Sequence, residues 1–226
     1  MTLLNPELVL IDLDGTLIDT VPDLVYAVDA LMLQLGLPQR GEEKVRSWVG
    51  NGIERFVKRA LLDQLEGEPD ENLFQSALHQ FKILYAEVNG CHSLLYPGVR
   101  EGLEWLKSQK YQLACVTNKA EQFTTPLLNT LNLYDYFQLV ISGDSLAKKK
   151  PDPLPLRHAA EFFKVEPHNA LMIGDSVNDV QAARAAGFKI LCVSYGYNHG
   201  MDIRTAKPDL VIDSFAQLSS LISSET

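Results

Sequence analysis

Six short runs rich in Val, Ile and Leu constrain this chain more than any other feature: Leu8–Ile11, Gln112–Val116, Leu139–Ile141, Ala170–Ile173, Ile190–Val193 and Leu210–Ile212. Strands with one wet face alternate apolar and polar residues. These runs are continuously apolar, as strands buried on both faces are. From Gly98 onward they alternate with helical patterns over Val99–Gln109, Gln122–Leu131, Pro153–Phe163 and Val177–Ala186. Strand, helix and strand repeated in this way predict an α/β fold, a parallel sheet with helices on both faces.

One region breaks the alternation. Between the first strand and His92 the periodicity is helical, with three segments: "AVDALMLQLGL", "GIERFVKRALL" and "FQSALHQFKILYAEV". Gly36 and Pro38 end the first. Ile53, Phe56, Val57, Ala60 and Leu61 form one face of the second. "EGEPDEN", Glu66 to Asn72, reads as an acidic loop. The organisation expected is therefore a discontinuous core, residues 1–20 and 93–226, with a helical domain, residues 21–92, inserted after the first strand.

In a parallel sheet, ligands gather at the carboxyl ends of the strands. The first strand ends on "DLDGT", Asp12 to Thr16. Thr117 and Asn118 follow "YQLACV", Lys150 follows the strand ending near Ser142, and Asp175 follows "LMIG". All four groups are expected on one rim. Two carboxylates from separate strands, Asp12 and Asp175, make a hard oxygen site suited to Mg²⁺. An ionised Asp12 is already a nucleophile, and Mg²⁺ with Lys150 offsets its repulsion by a phosphate dianion. Thr117 offers a hydroxyl to a phosphate oxygen. Gly15 and Thr16 offer backbone N–H groups and a hydroxyl as an anion cradle. Asp14, as acid and then base, protonates the leaving oxygen and activates water.

Plainer readings exist for each part. "DxDG" alone is a common turn, and Thr117 and Asn118 can cap the following helix. Lys148, Lys149 and Lys150 alone would be a solvated run. Asp175 and Asp179 bracket a helix start, where acids favour the dipole.

Together and in this order, "DLDGTLIDT", "VTN", the Lys150–Pro151 step and "GDSVND" resemble the four motifs of the haloacid dehalogenase superfamily of phosphatases. Within it, "WVGNGIERFVKRAL" and "YGYN" are similar to the bacterial phosphoglycolate phosphatase group. The resemblance implies a Rossmann-like core with a helical cap. It implies Asp12 as nucleophile, Asp14 as acid/base, and Mg²⁺ held by the Asp12 carboxylate, the Asp14 backbone carbonyl and Asp175, with Asp179 just behind them. The implied substrate is a small phosphate ester, 2-phosphoglycolate foremost. Specificity is then expected from the cap segment "VGNG", where Asn51, Gly52 and the nearby Arg55 would meet the carboxylate. Two other readings are a sugar-phosphate phosphatase or phosphomutase, and a non-catalytic, receiver-like module that only accepts a phosphoryl group.

Charge narrows the partners. A net charge of −9 argues against broad binding to nucleic acid or to an anionic membrane. No run approaches ~18 apolar residues, so no membrane span is expected. No signal peptide is apparent. Three cysteines without a C-x-x-C pair, Cys115 and Cys192 inside apolar runs, fit buried thiols in a reducing cytoplasm. A monomer or homodimer is expected.

Overall fold

A computed structural model describes residues 4–222. The outermost residues of the expected core, 1–3 and 223–226, lie outside the described residues.

Strand β1, Leu8–Ile11, is fully buried and pairs in parallel on both sides. A two-residue ribbon strand, β2 (Ile18–Asp19), follows it and pairs antiparallel with β3 (Leu94–Leu95). The remaining strands are β4 (Gln112–Val116), β5 (Leu139–Ile141), β6 (Ala170–Gly174), β7 (Lys189–Val193) and β8 (Leu210–Ile212). The six-stranded sheet has the order β5-β4-β1-β6-β7-β8 and is parallel throughout.

The continuous apolar runs are explained by what covers each face. Val9 and Ile11 point to one side, where Val99, Leu103 and Leu106 pack on them. Leu8 and Leu10 point to the other, against Leu156, Ala159 and Val180. Successive strand residues face opposite sides, so a sheet covered twice needs apolar residues at every position. The covering helices are Val99–Ser108, Glu121–Thr130, Leu154–Phe163 and Val177–Ala186, each within one or two residues of its expected span.

Four helices precede them in the chain: α1 (Val21–Gln34), α2 (Gly41–Trp48), α3 (Ile53–Leu62) and α4 (Glu71–Val88). The later four are therefore α5 to α8. Helices α1 to α4 enclose their own apolar cluster, including Leu31, Trp48, Phe56 and Phe81, joined from elsewhere by Phe123 and Tyr197. Sequence periodicity foresaw three of these helices. It missed α2 because "GEEKVRSW" buries only Val45 and Trp48, too few positions to form a stripe.

The chain enters and leaves this helical segment side by side. β2 and β3 pair just outside it, and Asp23 in the first turn of α1 ties the crossings together. Its fully buried carboxylate accepts from the backbone N–H groups of Gly90 (2.8 Å), His92 (2.8 Å) and Ser93 (3.2 Å), and also from the Ser93 hydroxyl. A buried carboxylate is tolerable when donors satisfy it in this way.

Candidate active site

Because the strands are parallel, the residues that follow them leave on one rim. The backbone N–H of Asp12 donates to Ile173 at 2.9 Å, and that of Thr117 to Ile141 at 2.9 Å. Both residues thus continue the sheet register by one step. Lys150, before a cis proline, reaches back into the same place. Its ammonium lies 2.8 Å from Asp12 Oδ1 and donates to Asp179 Oδ1 at 2.7 Å and the Val116 carbonyl at 2.7 Å. A lysine ammonium has three N–H donors, and all three are engaged. Burial alone would lower the Lys150 pKa, but Asp12 and Asp179 outweigh it and the net shift is upward.

Asp12, Asp175 and Asp179 bring carboxylate oxygens within 4.8 Å of one another, all buried. Burial pushes Asp12 well above the usual carboxylate range; Lys150 pulls it back, and Asp179 and Asp175 push it up again. Burial, and then Asp179, push Asp175 up to about 7. Such a cluster holds more negative charge than Lys150 can balance. Oxygen donors in a negative pocket fit a hard divalent cation such as Mg²⁺.

The three carboxylates differ in what already occupies them. Asp179 is saturated: Oδ1 takes Lys150, and Oδ2 accepts from Asp175 N (3.2 Å), Ser176 N (3.0 Å) and Ser176 Oγ (2.8 Å). It fits a supporting position behind any ion. Asp175 accepts from Thr16 Oγ1 at 3.1 Å and from Tyr197 N at 2.7 Å. The glycines around it are obligatory: a Cβ on Gly15 or Gly196 would collide with the Asp175 side chain, and Gly15 has a φ of +85°.

Two expectations for the turn after β1 are corrected. Gly15 N donates to Ile18 O at 2.9 Å and Thr16 N to Leu13 O at 3.3 Å, so these N–H groups close the turn instead of offering an anion cradle. The Thr16 hydroxyl is likewise committed to Asp175. Neither Gly15 nor Thr16 lines the cavity above the rim, whereas Asp12, Asp14, Thr117, Asn118 and Lys150 do.

Thr117 and Asn118 do not cap α6. Its N-cap is Ala120, with no side-chain cap bond. Thr117 Oγ1 accepts from Lys119 N at 3.1 Å. Asn118 Nδ2 donates to Lys150 O at 2.8 Å and to Gly50 O at 2.9 Å, the latter in the loop between α2 and α3. Asn178 Nδ2 adds a second bond to that same carbonyl at 3.2 Å. The helical segment is thereby fastened over the rim, and His199 Nδ1 donates to Ser47 O at 2.8 Å beside it.

The roof residues divide. Val49, Gly50 and Gly52 line the cavity; Asn51 does not, although its Oδ1 is buried without a hydrogen bond among the described residues. Arg55 is turned away altogether. Its guanidinium donates to Gly67 O at 3.1 Å and pairs with Glu66 and Glu68 at 3.3 Å for the latter, because the acidic loop folds back along α3. It is the third corrected expectation.

Sequence reasoning missed Lys119. It is buried, and its ammonium donates to Asp14 Oδ1 at 3.1 Å and Tyr85 Oη of α4 at 2.5 Å. Burial would lower its pKa, but Asp14 and Tyr85 outweigh that and raise it. Burial pushes Tyr85 up to about 12. Thr20 Oγ1 donates to the same Asp14 oxygen at 2.8 Å. The only signal was position, one residue after "TN". Tyr195 and Tyr197 of "YGYN" were noted as a likeness without a role. Tyr195 Oη donates to Thr16 O at 2.9 Å, and Tyr197 Oη accepts from Thr20 N at 2.7 Å while donating to Asp19 at 2.9 Å. They brace the turn that carries Asp14.

The arrangement offers a buried carboxylate beside an ammonium, a cation site and a second carboxylate opening on a roofed cavity. The family model for haloacid dehalogenase-like hydrolase matches residues 9–193. The chain belongs to the haloacid dehalogenase-like hydrolases. A protein named phosphoglycolate phosphatase from Nitrosococcus oceani is 61% identical over 219 residues, covering 97% of each chain. One of the same name from Nitrosospira multiformis is 50% identical, over 95% of this chain and 94% of its own. A crystal structure described as a predicted phosphoglycolate phosphatase from Haemophilus somnus superposes with a TM-score of 0.88 at 37% identity, covering 95% of this chain and 96% of that one. Membership in this hydrolase family sets aside the receiver-like alternative. Among the described residues no helix is long and apolar enough to cross a membrane.

Proposed function

We propose that the chain is a Mg²⁺-dependent phosphomonoesterase that hydrolyses 2-phosphoglycolate to glycolate and phosphate. The observation that carries the reading is the convergence of Asp12, Asp175, Asp179 and Lys150 on one buried rim, in a chain similar to proteins named phosphoglycolate phosphatase. Residues 21–92 serve as the cap, and residues 1–20 with 93–226 as the core. Free cysteines, two of them buried, support a reducing cytoplasmic setting.

Asp12 is the nucleophile. Its carboxylate oxygen forms a bond to phosphorus as the ester P–O bond breaks, leaving an aspartyl phosphate. Lys150, fixed on three sides, holds Asp12 in one orientation and offsets negative charge beside it. Mg²⁺, held by the Asp12 carboxylate, the Asp14 carbonyl and Asp175, would supply the charge that lets a phosphate dianion approach a carboxylate. Asp14 gives its proton to the departing alkoxide oxygen. Ionised, it then takes a proton from water as that water attacks phosphorus and the bond to Asp12 breaks. Thr117 donates its hydroxyl to a phosphate oxygen, and the seated cap excludes bulk water.

The test is phosphate release from 2-phosphoglycolate with Mg²⁺, with excess chelator, and by Asp12→Asn. Turnover is expected with metal, none with chelator, and a loss of at least roughly 10³-fold in the variant. Full activity in chelator, or a variant near wild type, would refute this function.

A further inference from the structure

We propose that Lys119, braced by Tyr85 of the cap, receives the carboxylate of the substrate. This deepens the function proposed above and rests on it. Among the described residues that line the cavity, two carry cationic side chains, Lys119 and Lys150. Lys150 has no N–H to spare, since Asp12, Asp179 and the Val116 carbonyl take all three. Lys119 meets Asp14 and Tyr85, which leaves one N–H for a ligand. The arginine expected in this role, Arg55, is engaged by the acidic loop instead.

The surroundings make a cation here consequential. Leu24, Phe56, Phe81 and Phe123 form apolar walls. A carboxylate pushed against them without a partner would lose its hydration and gain nothing. An ammonium already in place turns that loss into a charge-assisted hydrogen bond. The Tyr85 hydroxyl fixes where the ammonium sits, and it comes from α4, so the subsite is complete only with the cap seated.

Connectivity supports the assignment. Asp14, as the proton donor, must face the ester oxygen of the substrate. In phosphoglycolate a single methylene separates that oxygen from the carboxylate. The cation that would meet the carboxylate must therefore stand next to Asp14, and Lys119 is hydrogen-bonded to it. An ester of similar size without the carboxylate, ethyl phosphate, places only a methyl group there.

The experiment compares kcat/KM for 2-phosphoglycolate and ethyl phosphate in the wild type, Lys119→Met, Lys119→Arg and Tyr85→Phe. Both rates should fall in Lys119→Met because Asp14 loses a partner. The ratio in favour of phosphoglycolate should fall a further ten- to hundred-fold, mostly through KM, as expected for one charged hydrogen bond. Lys119→Arg should restore part of the ratio, and Tyr85→Phe should lower it several-fold. If the wild type prefers phosphoglycolate and Lys119→Met keeps that preference, Lys119 serves Asp14 alone and the subsite proposal fails. If Lys119→Met does not fold, Lys119→Gln takes its place, and an undiminished ratio in that uncharged variant overturns the proposal equally. A wild type that prefers ethyl phosphate would instead overturn the proposed function.

Discussion

The rim of the sheet and the underside of the cap meet at one cavity but are built on opposite plans. On the rim, charge is held by charge: Lys150 makes three bonds, Asp179 four, and Asp175 has two donors of its own. On the cap side the cavity walls are apolar, and the links across the gap are separate contacts of mixed kind: two asparagines on the Gly50 carbonyl, His199 on Ser47, Tyr85 on Lys119, Asn89 on the Phe123 carbonyl, and the partly exposed ion pairs Arg46–Asp19 at 3.1 Å and Lys149–Glu54 at 3.7 Å. Saturated buried networks do not rearrange cheaply, whereas separate hydrogen bonds and partly exposed ion pairs, each worth about 1 kcal/mol, can break and reform. The difference assigns fixed chemistry to the rim and adjustable enclosure to the cap. Asp23 ties the two crossings between them together.

The sharpest way to break this contrast is to remove the cation from the rim. Lys150→Met keeps the volume and leaves Asp12 and Asp179 buried without a positive partner. Breaking a buried pair costs about 3–5 kcal/mol. The loss of charge stabilisation should lower kcat roughly 10²–10³-fold. Thermal melts and steady-state rates measure the two. A variant with wild-type stability would mean that the rim network is as loose as the cap.

The sheet with its rim and the helical make-up of the cap were legible in the sequence; the contacts that join cap to rim were not, for physical reasons. Continuous apolar strands dictate a parallel sheet, and a parallel sheet dictates where Asp12, Thr117, Lys150 and Asp175 emerge. Local sequence therefore determined a global position. The ribbon of Ile18–Asp19 with Leu94–Leu95 has too few residues to show a period. Lys119 meets Asp14 and Tyr85, and Asn178 meets Gly50, across long sequence separations, which no local pattern encodes. Arg55 was misread because it lies off the apolar stripe of α3; which of two polar neighbours it would choose depended on how the acidic loop folds. The free N–H groups expected at Gly15 and Thr16 failed for a related reason. The turn needed those donors for itself.

A cation should sharpen the contrast, because only the rim responds to it. Without an ion, folded Asp175 keeps its proton up to about pH 7, while an unfolded Asp releases it near about pH 4. Between these values the folded state binds more protons, so the stability contributed at this site falls as pH rises from about 4 to about 7. Mg²⁺ substitutes for the proton and should stabilise most above pH 7. At roughly a hundred times its Kd it is worth about 2.7 kcal/mol. That corresponds to about 5–10 °C in Tm for a chain of this size. Differential scanning fluorimetry at pH 8 and pH 5.5, with Mg²⁺ or chelator, should show a clearly larger gain at pH 8. Equal gains at both would mean that the ion does not engage Asp175.

The smallest effect tests the cap side. Asn178→Ala removes one of two donors to the Gly50 carbonyl, and Asn118 still satisfies that oxygen. A single neutral hydrogen bond is worth about 0.5–1.5 kcal/mol. Tm should therefore drop by only a few degrees, roughly 2–4 °C for each kcal/mol lost. The fall in kcat/KM should be no more than about ten-fold, since closure is weakened but every group on the rim stays in place. Asn118→Ala should cost more, because Asn118 also holds the Lys150 carbonyl. The double variant leaves the Gly50 oxygen without either donor. Its loss should exceed the sum of the single losses, as expected when two bonds share one acceptor. Strict additivity would show that the two asparagines act independently and that the Gly50 carbonyl is not the point at which the cap is fastened.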